Sequence, residues 1–196
     1  MAFVMIAGPQ IISAVFLATS RDWARNSAVY VLGAALSISI IVAAAFLLGI
    51  QLKESTSNDA VYWIVLGLLL FLMARTYLKR GESEPPKWMG RLQDASPGFS
   101  LKLGFLLLGV FPTDIITSVA VGSYLSSHGD PLWYYLGFLG LTLLFLATPS
   151  LLVRAMGERG KTLLPKVRDW MNTNSWIVSE FVLALFVVIT IDSIAG

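Results

Sequence analysis

Cysteine is absent from this chain and histidine occurs once. The first absence excludes disulfides, thiolate metal sites and thiol redox chemistry. The second leaves His128 without the companions that a catalytic metal centre needs. Charge is scarce as well: 13% of the 196 residues are Asp, Glu, Lys or Arg, against about 25% in an ordinary soluble domain. No nucleophile elbow, Walker loop or dinucleotide fingerprint occurs. A soluble enzyme, an ATP-driven machine and a nucleic-acid binder are therefore poorly supported. No enzyme activity, cofactor or metal is expected.

What fills the chain is apolar. Hydrophobic residues make up 56% and mean hydropathy is +0.74, so lipid must face much of the surface. A bilayer core takes about 20 apolar residues per helix. Six stretches meet that need: Met1–Ala18, Asn26–Gly49, Ala60–Leu78, Leu101–Leu125, Leu132–Met156 and Trp176–Ala195. The pattern predicts an all-α, polytopic membrane protein, with residues 1–196 as a single transmembrane domain. The first stretch is read as a retained span and not a cleaved signal, since it lacks a basic start and is interrupted by Gly8-Pro9-Gln10.

The few charges are unevenly placed. Every Lys and Arg except Lys53 lies at the connections after the first, third and fifth spans: Arg21 and Arg25; Arg75 to Lys102; Arg154 to Arg168. Positive residues stay on the cytoplasmic side, so both termini are expected outside. Each half then holds three spans, about 1–80 and 101–196, joined by an inner connection of about 81–100. The second half enters from the opposite face, so any kinship between the halves is an inverted repeat, the plan of many alternating-access transporters.

A proline interrupts the opening span of each half. Pro9-Gln10-Ile11-Ile12-Ser13 is echoed, with a one-residue gap, by Pro112-Thr113-Asp114-Ile115-Ile116-Thr117. Proline removes a backbone donor and frees carbonyls, which lipid tolerates only where the backbone is buried or lines a cavity. Paired interruptions point to a transporter's binding site. The candidate substrate or ion site is Gly8, Pro9, Gln10, Ser13, Pro112, Thr113, Asp114 and Thr117. Asp114 stands out, because a mid-membrane Asp costs about 2.5–3.5 kcal/mol on insertion scales. Its alternative role is structural, with Thr113 or Asp114 capping a half-helix that starts at Ile115. Half-helix N-termini at mid-depth would attract an anionic group, whereas a basic substrate group or a coupling proton or cation would suit Asp114.

Other polar residues have ordinary readings. Glu180 and Asp192 are expected to snorkel to water, Asn26 to cap the second span, and His128 to sit in an outer turn beside Gly129. Gly33, Gly67, Gly104, Gly109, Gly122, Gly137 and Gly140 suit close helix packing. Trp88, Met89 and Leu92, and again Leu163, Val167, Trp170 and Met171, form apolar faces that anchor inner connections at the headgroup boundary.

The motifs Ile6-Ala7-Gly8-Pro9-Gln10 and Ser20-Arg21-Asp22-Trp23-Ala24-Arg25-Asn26 resemble the lysine exporter (LysE) superfamily. Pro86-Lys87-Trp88-Met89, Ser96-Pro97, Gly104, Phe111-Pro112-Thr113-Asp114 and Val167-Arg168-Asp169-Trp170-Met171-Asn172 are similar to its GAP branch, related to the sulfolipid-addressing (Sap) proteins. The resemblance covers nearly the whole chain. It implies a six-span exporter fold, with amino acids or metal ions moved by the wider group and glycolipids by the GAP branch. An Asn-Pro-Lys-type motif is common at the second break of that family; Phe111-Pro112-Thr113-Asp114 puts an acid there instead, which alters charge preference.

The expected function is therefore exporter-type transport in the plasma or inner membrane. A small solute or lipid-linked substrate would cross by alternating access about the Pro9 and Pro112 breaks, coupled to an ion gradient. The alternative is a lipid-translocating, scramblase-like accessory protein. Expected partners are the substrate, membrane lipids, a coupling proton or cation and a second copy of the chain as a homodimer, with no nucleic acid.

Overall fold

Proline decides where three of the helices begin. A computed structural model describes residues 9–50, 59–78, 92 and 94–195. Helices α1 (Pro9–Ala18), α4 (Pro97–Val110) and α5 (Pro112–His128) each open on a proline, whose missing N–H has no partner to lose in a first turn. Ser96 caps α4, its hydroxyl oxygen accepting from the Phe99 amide at 3.3 Å. A residue before proline is kept out of the helical region, and Phe111 is accordingly extended, with φ −66° and ψ 126°. The chain bends there by 71°. The expected fourth span is thus two helices meeting at an angle.

The other helices are α2 (Trp23–Leu47), α3 (Asp59–Leu78), α6 (Tyr135–Met156, entered through a 3-10 turn at Leu132–Tyr134), α7 (Glu158–Thr173) and α8 (Ser175–Ala195). No strand occurs among the described residues. The stretches Trp23–Leu47 and Leu132–Met156 are each long and apolar enough to cross a membrane, and the bent α4–α5 pair counts as a third. Pro9–Ala18 and Leu66–Leu78 are shorter apolar helices. The start of the first expected span, Met1–Gly8, and the Trp88 and Met89 face of the inner connection lie outside the described residues.

The chain divides into two compact units, Met1–Leu52 with Lys87–Arg168 and Lys53–Pro86 with Asp169–Gly196. Each draws on both halves of the sequence. In the first, α4 and α5 pack along α2, while α1 lies chiefly on α6 and then on α2. Small residues make this possible, because without water to drive helices together close backbone approach does the work. A Cβ added at Gly33 would overlap the Leu101 carbonyl, one at Gly104 the Tyr30 carbonyl, and one at Gly122 the Val42 carbonyl. Gly109 lies against the Ser37 hydroxyl. Gly67, Gly137 and Gly140, expected to pack similarly, have nothing within 4 Å; glycine content does not reveal which face a helix turns inward.

Tyr30, Ala34, Ile38 and Val42 repeat every four residues and form the buried stripe of α2. Phe16, Leu17, Leu108, Leu139 and Leu146 close the core around them. The other face of α2 exposes Leu32, Leu36 and Ile40. A soluble protein seldom leaves so large an apolar face bare, whereas lipid requires one.

In the second unit α3 packs on α8, and Tyr77 meets Trp176 edge to face with ring centroids 6.2 Å apart. Glu180, expected to reach water, is half-buried, and its Oε1 has no partner. Its position a turn inside α8 holds that oxygen among neighbours. The side chains of Asp192 and Met171 are outside the described set. Leu163, Val167 and Trp170 are exposed along α7, together with Lys166.

Candidate functional site

Helices α1 and α5 both open on a proline, and the start of a helix is the positive end of its dipole. Gln10 is the second residue of α1 and Asp114 the third of α5. Gln10 Nε2 donates to Asp114 Oδ2 at 2.6 Å. The two side chains are 2% and 0% exposed, so this is an interior contact. Tyr30 of α2, also fully buried, donates its hydroxyl to the Gln10 backbone carbonyl at 2.9 Å. The two proline-opened helices and the central helix of the first unit therefore meet around one carboxylate.

Four oxygens at this junction or one helical turn from it lack any hydrogen-bond partner: Gln10 Oε1, Asp114 Oδ1, Ser13 Oγ and Ser118 Oγ. Ser13 and Ser118 are both 0% exposed. Other hydroxyls in these helices turn back to their own backbone, as Thr142 Oγ1 does to the Phe138 carbonyl at 2.9 Å. Buried polar atoms without partners are costly, and these four gather about one carboxylate.

Of the remaining candidates, Thr113 joins this cluster, its side chain hydrogen-bonding the Asp114 carboxyl; the others do not. Pro112 and Thr113 are exposed, Pro9 is half-buried, and Gly8 lies outside the described residues. Thr117 bonds its own helix, donating to the Thr113 carbonyl at 2.7 Å. Two participants escaped the sequence reading. Ser118 carried a signal, being four residues after Asp114 and so on the same helix face. Tyr30 carried none, as one aromatic in an apolar span.

The capping role considered for Thr113 or Asp114 is not what is found. Helix α5 begins at Pro112, not Ile115, and its first turn has no side-chain cap. The Phe111 carbonyl instead accepts the Asp114 and Ile115 amides at 3.1 and 3.0 Å, leaving the carboxylate free to bond Gln10. Asn26 is likewise no cap. Helix α2 starts three residues earlier than expected, at Trp23, which places Asn26 inside it and fully buried. Its Nδ2 donates to Ser20 Oγ and to the Ala95 carbonyl, both at 2.9 Å. Asn26 Oδ1 and Ser27 Oγ have no partner.

Two cavities flank the turn between α1 and α2. One, about 300 Å³, is lined by Arg21, Asp22, Trp23, Ala24 and Arg25. The other, about 320 Å³, adds Ala18, Thr19, Ser20, Val153 and Pro165 to the shared Arg21 and Trp23. At the far end of α5, His128 stacks on Tyr124 at 4.1 Å, and Gly129 ends the helix in the left-handed region at φ 68°. That is the turn expected there. Among the described residues, no group of three or more His, Asp or Glu could hold a metal ion.

A model of the Sap, sulfolipid-1-addressing protein, family matches residues 1–193. The chain belongs to this family. The match runs through Pro9 and Pro112, so the Gln10–Asp114 contact lies wholly within it. It is the branch to which the sequence motifs pointed, and it does not extend by itself to the lysine exporter superfamily. No curated protein and no solved structure matches the chain significantly.

Proposed function

We propose that this protein is a six-span exporter of the plasma or inner membrane, a carrier and not an enzyme, which moves a polar lipid or lipid-linked substrate by alternating access. The observation that carries the reading is the buried bond between Gln10 and Asp114, which joins the starts of two proline-opened helices from opposite halves of the chain. Broken helices with polar groups at their ends are how transporters place a site at mid-depth. The lipid assignment draws on the family's description as sulfolipid-1-addressing. Membership of the lysine exporter superfamily belongs to the same proposal.

Packing supports an inverted repeat. Helix α1, from the first span, lies chiefly on α6 of the fifth, and α5, from the fourth span, lies on α2 of the second. An exchange of halves would produce that reciprocity. The cavities beside Arg21 and Arg25 suit an oxyanion headgroup entering from the inner face. Without an ATP motif, uphill movement draws on an ion gradient.

A second reading, scramblase-like passage of headgroups along a groove, is favoured by the position of those cavities. The larger one reaches Ala18, about 12 Å along α1 from Gln10 at 1.5 Å per residue, and the other lies beyond it at residues 21–25, so a headgroup can occupy them without touching the buried pair. The test is movement of labelled anionic lipids, and of a panel of small solutes, in vesicles holding the purified protein, with and without a pH gradient. Gradient-dependent lipid movement, abolished by Asp114→Leu, supports the exporter. Lipid movement indifferent to the gradient supports the groove, and movement of small solutes alone overturns the lipid assignment.

A further inference from the structure

The hydrogen bond from Gln10 to Asp114 uses half of each group. An amide has one donor side and one acceptor side; a carboxylate has two oxygens. Nε2 and Oδ2 are joined, while Oε1 and Oδ1, the second atoms of the same two planar groups, are both without partners and both buried. Two acceptors cannot bond each other. One proton placed between them changes that, because a carboxylic acid and a primary amide form a cyclic pair with two parallel hydrogen bonds.

We propose that Gln10 and Asp114 form a proton-binding pair, in which a proton on Asp114 Oδ1 is donated to Gln10 Oε1 and closes the ring. The balance is simple: the carboxylate takes one proton from water and becomes a neutral acid, and both bare oxygens are satisfied in the same step. In the ionised state the charge is held by the Gln10 amide, by the Thr113 side chain and by the N-terminal turn of α5 in which Asp114 sits. No Lys, Arg or His is among the partners described for Asp114. The titratable or charged groups on elements packed against α5 are Arg25, Tyr30, Lys102, Tyr134, Tyr135 and Arg154. Of these, Tyr30 comes within electrostatic reach of Asp114, and it already donates to the Gln10 backbone.

A metal cation fits the arrangement less well, because it needs oxygens converging on one point, whereas these two planar groups are already joined edge to edge. Ser13 and Ser118, unpartnered and one turn along α1 and α5 from the pair, supply hydroxyls on the helices that lead away from it. Only the use of this proton as the coupling ion rests on the carrier reading above; the binding itself does not.

The experiment is infrared difference spectroscopy of the full chain in lipid vesicles as the pH is lowered. A protonated-carboxyl band should appear, be lost in Asp114→Asn, and shift in Gln10→Leu, where the acid has no amide partner. Asp114→Asn keeps a cyclic amide–amide pair, so it should fold and melt as the parent does while imitating the protonated state. An acid-induced band unchanged in Asp114→Asn and Gln10→Leu, or no band assignable to Asp114, overturns the proposal. The same variants in the lipid-movement assay separate the two ideas. If the band behaves as expected but lipid movement ignores the pH gradient in the parent protein, the proton pair stands and the coupled exporter falls. If movement is gradient-driven and the gradient dependence survives in Asp114→Asn, the proton is carried elsewhere and the pair's coupling role is overturned.

Discussion

Gln10 and Asp114 stand 104 residues apart in the chain and are joined by a buried hydrogen bond of 2.6 Å. The bond links a neutral amide to an acid that has no basic partner among those described, and it leaves an acceptor bare on each side. Each residue sits in the first turn of a helix opened by proline. The relationship is thus one of position as much as of chemistry, and it shapes the outcomes expected below.

Removing one partner should cost more than removing both. Gln10→Leu leaves the buried carboxylate without its amide donor, a loss of about 1–3 kcal/mol. Replacing both partners by apolar groups of similar shape can be nearly neutral, so Gln10→Leu combined with Asp114→Leu should regain most of that loss. Thermal melting of the purified variants in detergent checks this. Simple additivity of the two single changes would mean that the contact contributes nothing.

Tyr30→Phe deletes the hydroxyl that braces the Gln10 backbone and no other polar group. A single buried hydrogen bond is worth about 1 kcal/mol, and the melting curve should record a drop of that order. Gradient-driven movement should persist, because the acid–amide pair is intact. Complete loss of movement with normal melting would give Tyr30 a direct part in transport.

Gly33→Leu and Gly104→Leu should each lower the yield of folded protein, since a Cβ at either site overlaps the backbone of the facing helix. Overpacking costs about 1–3 kcal/mol even where side chains alone must move. Gly140→Leu is the control, because nothing lies within 4 Å of its Cβ position. Size-exclusion profiles of the three variants, expressed side by side, distinguish the sites. Equal behaviour of all three would contradict the packing of α2 on α4.

Arg21→Ala and Arg25→Ala remove the cationic walls of the cavities beside the turn between α1 and α2. A basic residue near an anionic membrane surface is worth about 1 kcal/mol. Movement of anionic lipids should fall and become less sensitive to salt, while movement of zwitterionic lipids should be unaffected. A matched decrease for both lipid classes would point instead to a structural role for the turn.

Much of the local structure could be read from single residues. Pro9, Pro97 and Pro112 mark helix starts because proline's fixed φ suits a first turn, and Ser96 marks a cap. Asp114 is conspicuous because an acid in an apolar run is expensive. The turn at His128–Gly129 follows from glycine's tolerance of positive φ. Where local reading misled, as with Asn26, the error was one of helix phase: a start three residues earlier turned a presumed cap into a buried tie. Gly137 and Gly140 show the same limit, since apolar helices in lipid carry little amphipathic signal to tell one face from another.

The amino-acid order by itself determined that the chain is apolar and helical, with helices opening on Pro9 and Pro112 and a rare acid beside the second of these prolines. Those properties follow from side-chain chemistry and from the backbone limits that proline imposes within a few residues. The partner of that acid was decided by tertiary structure alone. Gln10 reaches Asp114 because the glycine contacts of α2 bring α4 and α5 against it, and because the 71° bend at Phe111 sets where α5 begins relative to α4. Packing between distant segments depends on shape complementarity over whole helices, and no short motif encodes it.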